Sequence, residues 1–169
     1  MNSFIDVHLH GYLGPSTQET VRRYLEKAVE KGLERAFVII SPGFGLEWQP
    51  FLESHPDYIK PGLAPNQLDA EQTLTDWAEF AQRFGFGDKL LFFVDTRFLV
   101  KDVEKNLERL RALPLTGFKV FYFWSGKEEN HGVWAKLGLG EEAYKQVQGE
   151  VFGYAEAHGI PVQIGRAHV

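Results

Sequence analysis

Two histidines near the start of the chain, His8 and His10, have the spacing of a pair of metal ligands. They follow the apolar run Phe4 to Val7, which is typical of a buried strand. Because residues two apart on a strand point to the same side, both imidazoles can reach one ion at the end of the strand. The alternative is a pair of polar residues at a strand end with no metal. Asp6 before the pair and Gly11 after it favour metal ligation.

Histidine and carboxylate groups must hold any such metal, because the chain has no cysteine. Imidazole binds zinc, manganese, iron and nickel to different degrees, and zinc is the ion we favour. The 169 residues carry 18 Lys and Arg against 23 Asp and Glu, without a basic cluster. This balance argues against nucleic acid and membrane as partners, and leaves a small-molecule substrate. No apolar run reaches ~20 residues and no basic leader occurs, so we expect a cytoplasmic, single-domain protein.

Charged residues near other predicted strand ends are candidates for binding a substrate. Asp95 ends one apolar strand, and Arg97 follows it closely enough to pair with Asp95 or to hold an anionic substrate. The favoured alternative is that Asp95 caps the next helix. Lys119 lies between Phe118 and Val120 in another strand, where the direction of its side chain is ambiguous. There it could bind a substrate acid or an internal carboxylate.

Several other side chains have weaker claims to a role. Aromatic residues just beyond predicted strand ends could line a pocket for an aromatic or cyclic substrate, or simply pack loops. They are Tyr12, Phe44, Trp48, Tyr122 and Trp124. His131 lies in a charged, glycine-rich loop, where a solvated histidine is the commoner case. His55 and His158 are assigned to no site.

Hydrophobic periodicity predicts an alternation of strands and helices around these residues. The predicted strands are Phe4–Val7, Ala36–Ile40, Lys89–Asp95, Phe118–Phe123 and one that begins at Ile160. The predicted helices run from the capping box Ser16–Glu19 to Gly32, from Leu74 to Phe84, from Val103 to Leu113 and from Glu141 to His158. The long segment before Gln72 is expected to hold a short helix near Trp48–Leu52 and a strand near Ile59–Leu63.

The predicted strands are continuously apolar, which is typical of a parallel sheet covered by helices. Two α/β architectures fit, an open doubly wound sheet and part of a (β/α)₈ barrel. No glycine-rich fingerprint follows the first strand, which weakens the nucleotide-binding interpretation. A closed barrel needs ~250 residues, so this chain would carry about five to six of eight strands. We therefore expect the N-terminal part of a TIM barrel, left open.

The motif Asp6-x-His8-x-His10 resembles the first strand of the amidohydrolase superfamily. The nearer likeness is to the branch of amidohydrolases, lactonases and aromatic-acid decarboxylases. Gly117–Phe121 resembles that branch's GxK segment, and Ala157–Val162 resembles the approach to the strand that bears its next metal histidine. The resemblance implies a (β/α)₈ barrel, one or two divalent ions and a metal-activated water.

The resemblance also implies roles for the candidate residues. His8 and His10 would ligate the metal, while Lys119, Asp95 and Arg97 would bind substrate or bridge metals. In some relatives an inner-strand lysine is carbamylated and bridges two ions. The family's further histidine and its aspartate, the expected base, have no counterpart in this chain.

The enzyme implied is a metal-dependent hydrolase that attacks an amide, ester or lactone carbonyl. One alternative is a metal-dependent decarboxylase of an aromatic or unsaturated acid on the same scaffold. The other is a non-catalytic truncated barrel, and we expect the 169-residue chain to be inactive by itself. The intact parent could form a homo-oligomer. A histidinol-phosphatase barrel also begins with His-x-His, but it predicts further histidines at strand ends.

The last seven residues, Gln163–Val169, look foreign to the domain. They match one reading frame of the string AGATCGGAAGAGCACACGTCTGA, which resembles a short-read library adapter. We therefore expect a partial barrel at residues 1–162 and a non-native tail at 163–169, in which Arg166 and His168 have no function. A natural tail with this sequence is the alternative, and the codons of the gene decide between them.

Overall fold

The computed structural model of the chain describes residues 3–10, 13, 17–40, 70–96, 99, 102–121 and 139–165, without the side chains of 7, 8, 10, 70–72 and 121. Strands and helices alternate in the described ranges, as predicted. In chain order they are β1 (Phe4–His10), α1 (Gln18–Glu30), β2 (Leu33–Ile40), α2 (Ala70–Arg83), β3 (Leu90–Asp95), α3 (Val103–Arg111), β4 (Gly117–Phe121), α4 (Glu141–His158) and β5 (Val162–Gly165). The helix predicted at Trp48–Leu52 and the strand predicted at Ile59–Leu63 lie outside the described residues.

The five strands form one parallel sheet in the order β1-β2-β3-β4-β5. If neighbouring strands are joined in sequence by crossovers of the usual right hand, the described helices fall on one face of the sheet. A doubly wound sheet instead has helices on both faces. The buried core agrees with this, because one cluster joins residues of all four helices to alternate residues of the strands. The sheet is therefore an open half-barrel, compatible with part of a larger barrel.

Alternation along the strands gives the sheet two distinct faces. Ala36, Val38 and Ile40 of β2 belong to the cluster under the helices, as do Phe92 and Val94 of β3. Ile39 and Phe93 are also buried, but they lie outside that cluster. Because successive side chains on a strand point to opposite faces, these two belong to the inner, concave face. The candidate site is built on this inner face.

The start of α1 differs from the predicted capping box. Thr17 is the N-cap residue and its side chain makes no capping hydrogen bond, while Ser16 lies outside the described residues. Glu19 instead accepts hydrogen bonds from the guanidinium groups of Arg22 and Arg23. These charge-assisted bonds lower the pKa of Glu19 to about 2. The predicted helix is confirmed, but its first turn is held by ion pairs within the helix.

Glycines end two of the helices, as predicted. Gly32 follows α1 with φ of 100° and Gly159 follows α4 with φ of 63°, values that other residues rarely adopt. After Gly159, β5 begins at Val162 rather than at Ile160. Pro161 has no N–H for the ladder, but its carbonyl accepts a hydrogen bond from the Phe118 N–H.

The two outer strands of the half-barrel expose apolar side chains. Among the described strands, β1 pairs only with β2 and β5 pairs only with β4. Phe4 and Ile5 on β1 are 43% and 52% exposed, and Ile164 on β5 is 62% exposed. Unpaired edges of this kind bind further strands readily.

Gly117 on the inner face of β4 should not tolerate a side chain. A methyl group there would lie 2.6 Å from the Phe93 ring and would also collide with the Pro161 carbonyl. We expect Gly117→Ala to lower the free energy of unfolding by about 1–3 kcal/mol, measured by urea denaturation. The matched control is Gly149→Ala on α4, where the added methyl meets nothing within 4 Å and should stabilise the helix by about 1 kcal/mol. Equal stability of the two variants would contradict the packing of β3 against β4.

The pKa of Tyr154 should give α4 a distinct signal in a pH titration. Burial against Phe118, helped by the nearby Glu108 carboxylate, raises the pKa of Tyr154 from 10.0 to about 12. The folded state therefore holds this proton longer, and the stabilisation is complete below pH 10.0 and lost between 10.0 and about 12. Absorbance at ~295 nm should show a late-titrating tyrosine signal that is missing from Tyr154→Phe. A titration unchanged by that substitution would refute this assignment.

Candidate functional site

The backbone of His8 and His10 lies at the C-terminal end of β1. His10 pairs with Ile39 of β2, which in turn pairs with Phe93 of β3. The register of β1 against β2 shifts between Asp6 and Leu9, across the first histidine. Such irregularities are common beside active sites, because they re-aim a side chain. Both histidines therefore lie at the predicted strand end, while their side chains are outside the described part of the chain.

Three polar residues line up across β3, β4 and β5 on the inner face. Asp95 pairs with Lys119, and Lys119 pairs with Gln163. Their neighbours Val94, Phe118, Val120 and Val162 pack under the helices, so alternation places the three polar residues on the opposite face. We call Asp95, Lys119 and Gln163 the polar layer. It lies two residues further along β3 than Phe93, toward the C-terminal edge.

The two charged members of the polar layer are buried. Asp95 is 0% exposed and Lys119 is 2% exposed. Burying an ammonium or a carboxylate is unfavourable unless a polar or charged partner accompanies it. Placing one of each sign on neighbouring strands reduces this cost, since the strands lie ~4.8 Å apart. The sequence left the direction of Lys119 open, and the register assigns it to the inner face.

Gly165 determines where the Lys119 amine lies. A Cβ atom at Gly165 would sit 2.6 Å from Lys119 Cε and would collide with Nζ. Gly165 is two residues beyond Gln163, the register partner of Lys119. The amine therefore extends past the polar layer toward the C-terminal edge of the sheet, because β5 has no side chain at this point.

The layer beneath the polar layer is apolar and aromatic. Phe93 pairs with Ile39 on one side and with Gly117 on the other. The rings of Phe37 and Phe93 stack with centroids 5.0 Å apart and planes inclined by 21°. Gly117 leaves room for the Phe93 ring. The rings of Phe37 and Phe93 thus lie on the inner face below the charged layer. They exclude water, which lowers the local dielectric constant and strengthens the electrostatic effect of the charges.

A buried hydrogen-bonded pair supports the polar layer from the helix side. Thr96, the residue after Asp95, donates its hydroxyl proton in a bifurcated hydrogen bond, to Gln148 Oε1 at 2.8 Å and to the Lys119 carbonyl at 3.2 Å. Gln148 lies on α4, and its amide Nε2 is buried with no hydrogen-bond partner among the described residues. The pair ties the end of β3 to both β4 and α4, so that it fixes Asp95 relative to Lys119.

The other sequence candidates divide into two groups. Arg97, His131 and the aromatic residues beyond the strand ends lie outside the described residues. His158 ends α4, where its imidazole contacts Arg111, far along the helix from the polar layer. Asp95 does not cap α3, whose N-cap residue is Asp102. The described side chains contain no group of three potential metal ligands, a set that does not include the side chains of His8 and His10.

Sequence reasoning missed the residues that surround Lys119. The sequence predicts that Gln163 and Gly165 belong to a non-native tail, and this stays a prediction. The structure places both residues in β5. Gln163 alternates with the apolar Val162 and Ile164, a pattern that could have revealed an inward-facing polar residue. The Thr96–Gln148 contact joins residues 52 apart and has no local signal.

No family model matches the chain, and no curated protein or solved structure matches it either. Among the described helices, none has the length and apolarity needed to cross a membrane.

Removing the Thr96 hydroxyl should weaken the link between β3 and α4. Thr96→Val keeps the shape of the side chain but leaves the buried Gln148 amide without this partner. We expect a loss of about 1–3 kcal/mol in the free energy of unfolding, measured by urea denaturation. Thr96→Ser keeps the hydroxyl and should lose less. If Val and Ser variants are equally stable, the hydroxyl does not support the sheet.

Proposed function

We propose that the chain supplies the N-terminal part of the (β/α)₈ barrel of a metal-dependent hydrolase of the amidohydrolase type, with the intact parent as the active enzyme. The observation that carries the proposal is the buried polar layer, in which Asp95 and Lys119 lie toward the same strand ends as the His-x-His of β1. Parallel strands bring their C-terminal ends to one edge of a sheet, where the active sites of such barrels are found. The sequential strand order and the single helical layer also support the barrel.

The donor types at this edge fit a divalent ion such as zinc. His8 and His10 offer imidazole nitrogens, and Asp95 offers a carboxylate on the inner face, the ligand types that zinc takes when cysteine is absent. An ion held there would lower the pKa of a bound water toward ~7 and polarise a substrate carbonyl. Manganese, iron and nickel accept the same donors.

The chain's own residues supply the remaining chemistry of the proposed site. The Lys119 ammonium can donate a hydrogen bond to a carbonyl oxygen as negative charge develops on it. The Asp95 carboxylate, paired in register with Lys119, can hold that ammonium in position. The effects of the Lys119 and Asp95 charges gain strength from burial next to aromatic side chains, because water screens buried charges poorly.

Decarboxylation of an aromatic or unsaturated acid is the second candidate function. It uses the same edge and the same donors, and the buried Lys119 cation favours a substrate with an acidic group. The two reactions differ in their products, since only decarboxylation releases CO₂.

Zinc binding by the 169-residue chain tests the proposal directly. We expect His8→Gln and His10→Gln each to weaken Zn²⁺ binding about tenfold or more, because each removes one ligand. The measurement is competition against a chromophoric chelator. Binding by the unmodified chain should be weak, since the described side chains supply no third histidine near this edge.

His158→Gln is the matched control, because His158 lies at the end of α4 and contacts Arg111 rather than the polar layer. It should leave Zn²⁺ affinity unchanged. If neither β1 variant weakens binding, or if His158→Gln weakens it equally, the metal site is not at β1 and the hydrolase and decarboxylase proposals both fail.

A further inference from the structure

We propose that the buried pair of Asp95 and Lys119 is a conformational device that selects one register for β3 against β4 and gives up some stability in doing so. The inference goes beyond the proposed function, because it concerns how the half-barrel reaches a single structure. It depends neither on metal binding nor on catalysis, and it can be tested without either.

The apolar pattern alone does not define how β3 pairs with β4. β3 reads LLFFVD and β4 reads GFKVF, so both strands are apolar at nearly every position. Every residue of β3 except Leu91 is buried, and so are Phe118 and Val120 of β4. A strand with one polar face loses its burial when it slips by one residue, but a strand that is apolar on both faces does not. Several registers would therefore bury similar apolar area.

Each of the two strands carries a single charged residue, and the two charges are opposite each other in only one register. Asp95 is the last residue of β3 and Lys119 is the middle residue of β4. They are partners in the observed register, and both are buried. Opposite charges on strands ~4.8 Å apart compensate each other where water is excluded. The observed register is therefore the one that leaves neither charge without a partner.

Slipped registers would separate these charges. If Lys119 paired with Val94, the faces of β4 would exchange and the ammonium would enter the core under the helices, where Val94 packs. A slip of two residues would place Lys119 opposite Phe93 and Asp95 opposite Phe121. Each alternative leaves a charge buried without its partner, which is strongly unfavourable.

The neutral contacts between the strands favour the same register, but they penalise the alternatives less. Gly117 fits against the Phe93 ring, and the Thr96 hydroxyl donates to the Lys119 carbonyl. Losing one neutral hydrogen bond is less unfavourable than leaving a buried charge unpaired. A single buried Asn acts in the same sense in coiled coils, where it fixes the register and lowers the stability.

The experiment compares the full chain with the double variant Asp95→Val/Lys119→Met, in which apolar side chains replace both charges. Thermal unfolding followed by circular dichroism should show a midpoint equal to or above that of the unmodified chain, because a well-packed apolar pair is often no less stable than a buried ion pair. Amide spectra of the ¹⁵N-labelled double variant should show several signals for each residue of β3 and β4, and the unmodified chain should show one. Nuclear Overhauser contacts between the two strands then identify the registers present.

The single variants and a surface pair provide the controls. Asp95→Val alone and Lys119→Met alone each leave one buried charge unpaired and should lower the midpoint by about 6–20 °C. Glu141→Leu/Lys145→Met replaces an exposed ion pair of α4. It should change the midpoint by no more than about 2 °C and keep one signal per residue.

Two results for the double variant would overturn the proposal. One signal per residue with unchanged contacts between β3 and β4 would mean that Gly117 and Thr96 suffice to set the register. A midpoint well below that of the unmodified chain would mean that the pair stabilises the fold instead of selecting its register. All samples contain EDTA, so a failure of the proposed metal site leaves this test unaffected.

Discussion

The parallel pairing of β3 with β4 is the interaction on which the candidate site depends. This pairing aligns Asp95 with Lys119. Because side chains alternate along a strand, both lie on the inner face, while Val94 and Val120 pack under the helices. A shift of one residue in this register would place the charges in the helix-facing core. The surrounding structure holds the register from both sides, through Gly117 fitted against the Phe93 ring and the Thr96 hydroxyl bonded to the Lys119 carbonyl.

The site combines two requirements that oppose each other. Charged groups act most strongly where water is excluded, but the same exclusion makes their burial unfavourable. The half-barrel resolves this by confining charge to one layer of the inner face and keeping the layer below it apolar. Glycines at two positions provide the space, one under the Phe93 ring and the other beside the Lys119 amine.

Much of the fold could be predicted from the sequence because the strands are continuously apolar and the helices have clear ends. The bounds of α4 agree with the prediction from Glu141 to His158, and Gly32 ends α1 as expected. The site could be predicted only where a motif is local, as in His8 and His10. The inner-face position of Lys119 depends on pairing between strands distant in sequence, and the Thr96–Gln148 bond depends on how α4 packs. The N-cap falls at Thr17 rather than at Ser16 of the predicted capping box, and nearby arginines offer the Glu19 carboxylate charge-assisted hydrogen bonds.

The sequential strand order also affects how such a chain forms on the ribosome. Among the described strands, each pairs with the one synthesised before it, and the helix between two strands is made before the second of them. A nascent chain can therefore add one unit at a time to a template that is already exposed, without waiting for residues far downstream. The growing edge at every stage is a row of unpaired backbone groups next to apolar side chains, as Ile164 on β5 still illustrates. Synthesis of this fold thus keeps one unpaired strand edge exposed to solvent or to a chaperone until a further strand covers it.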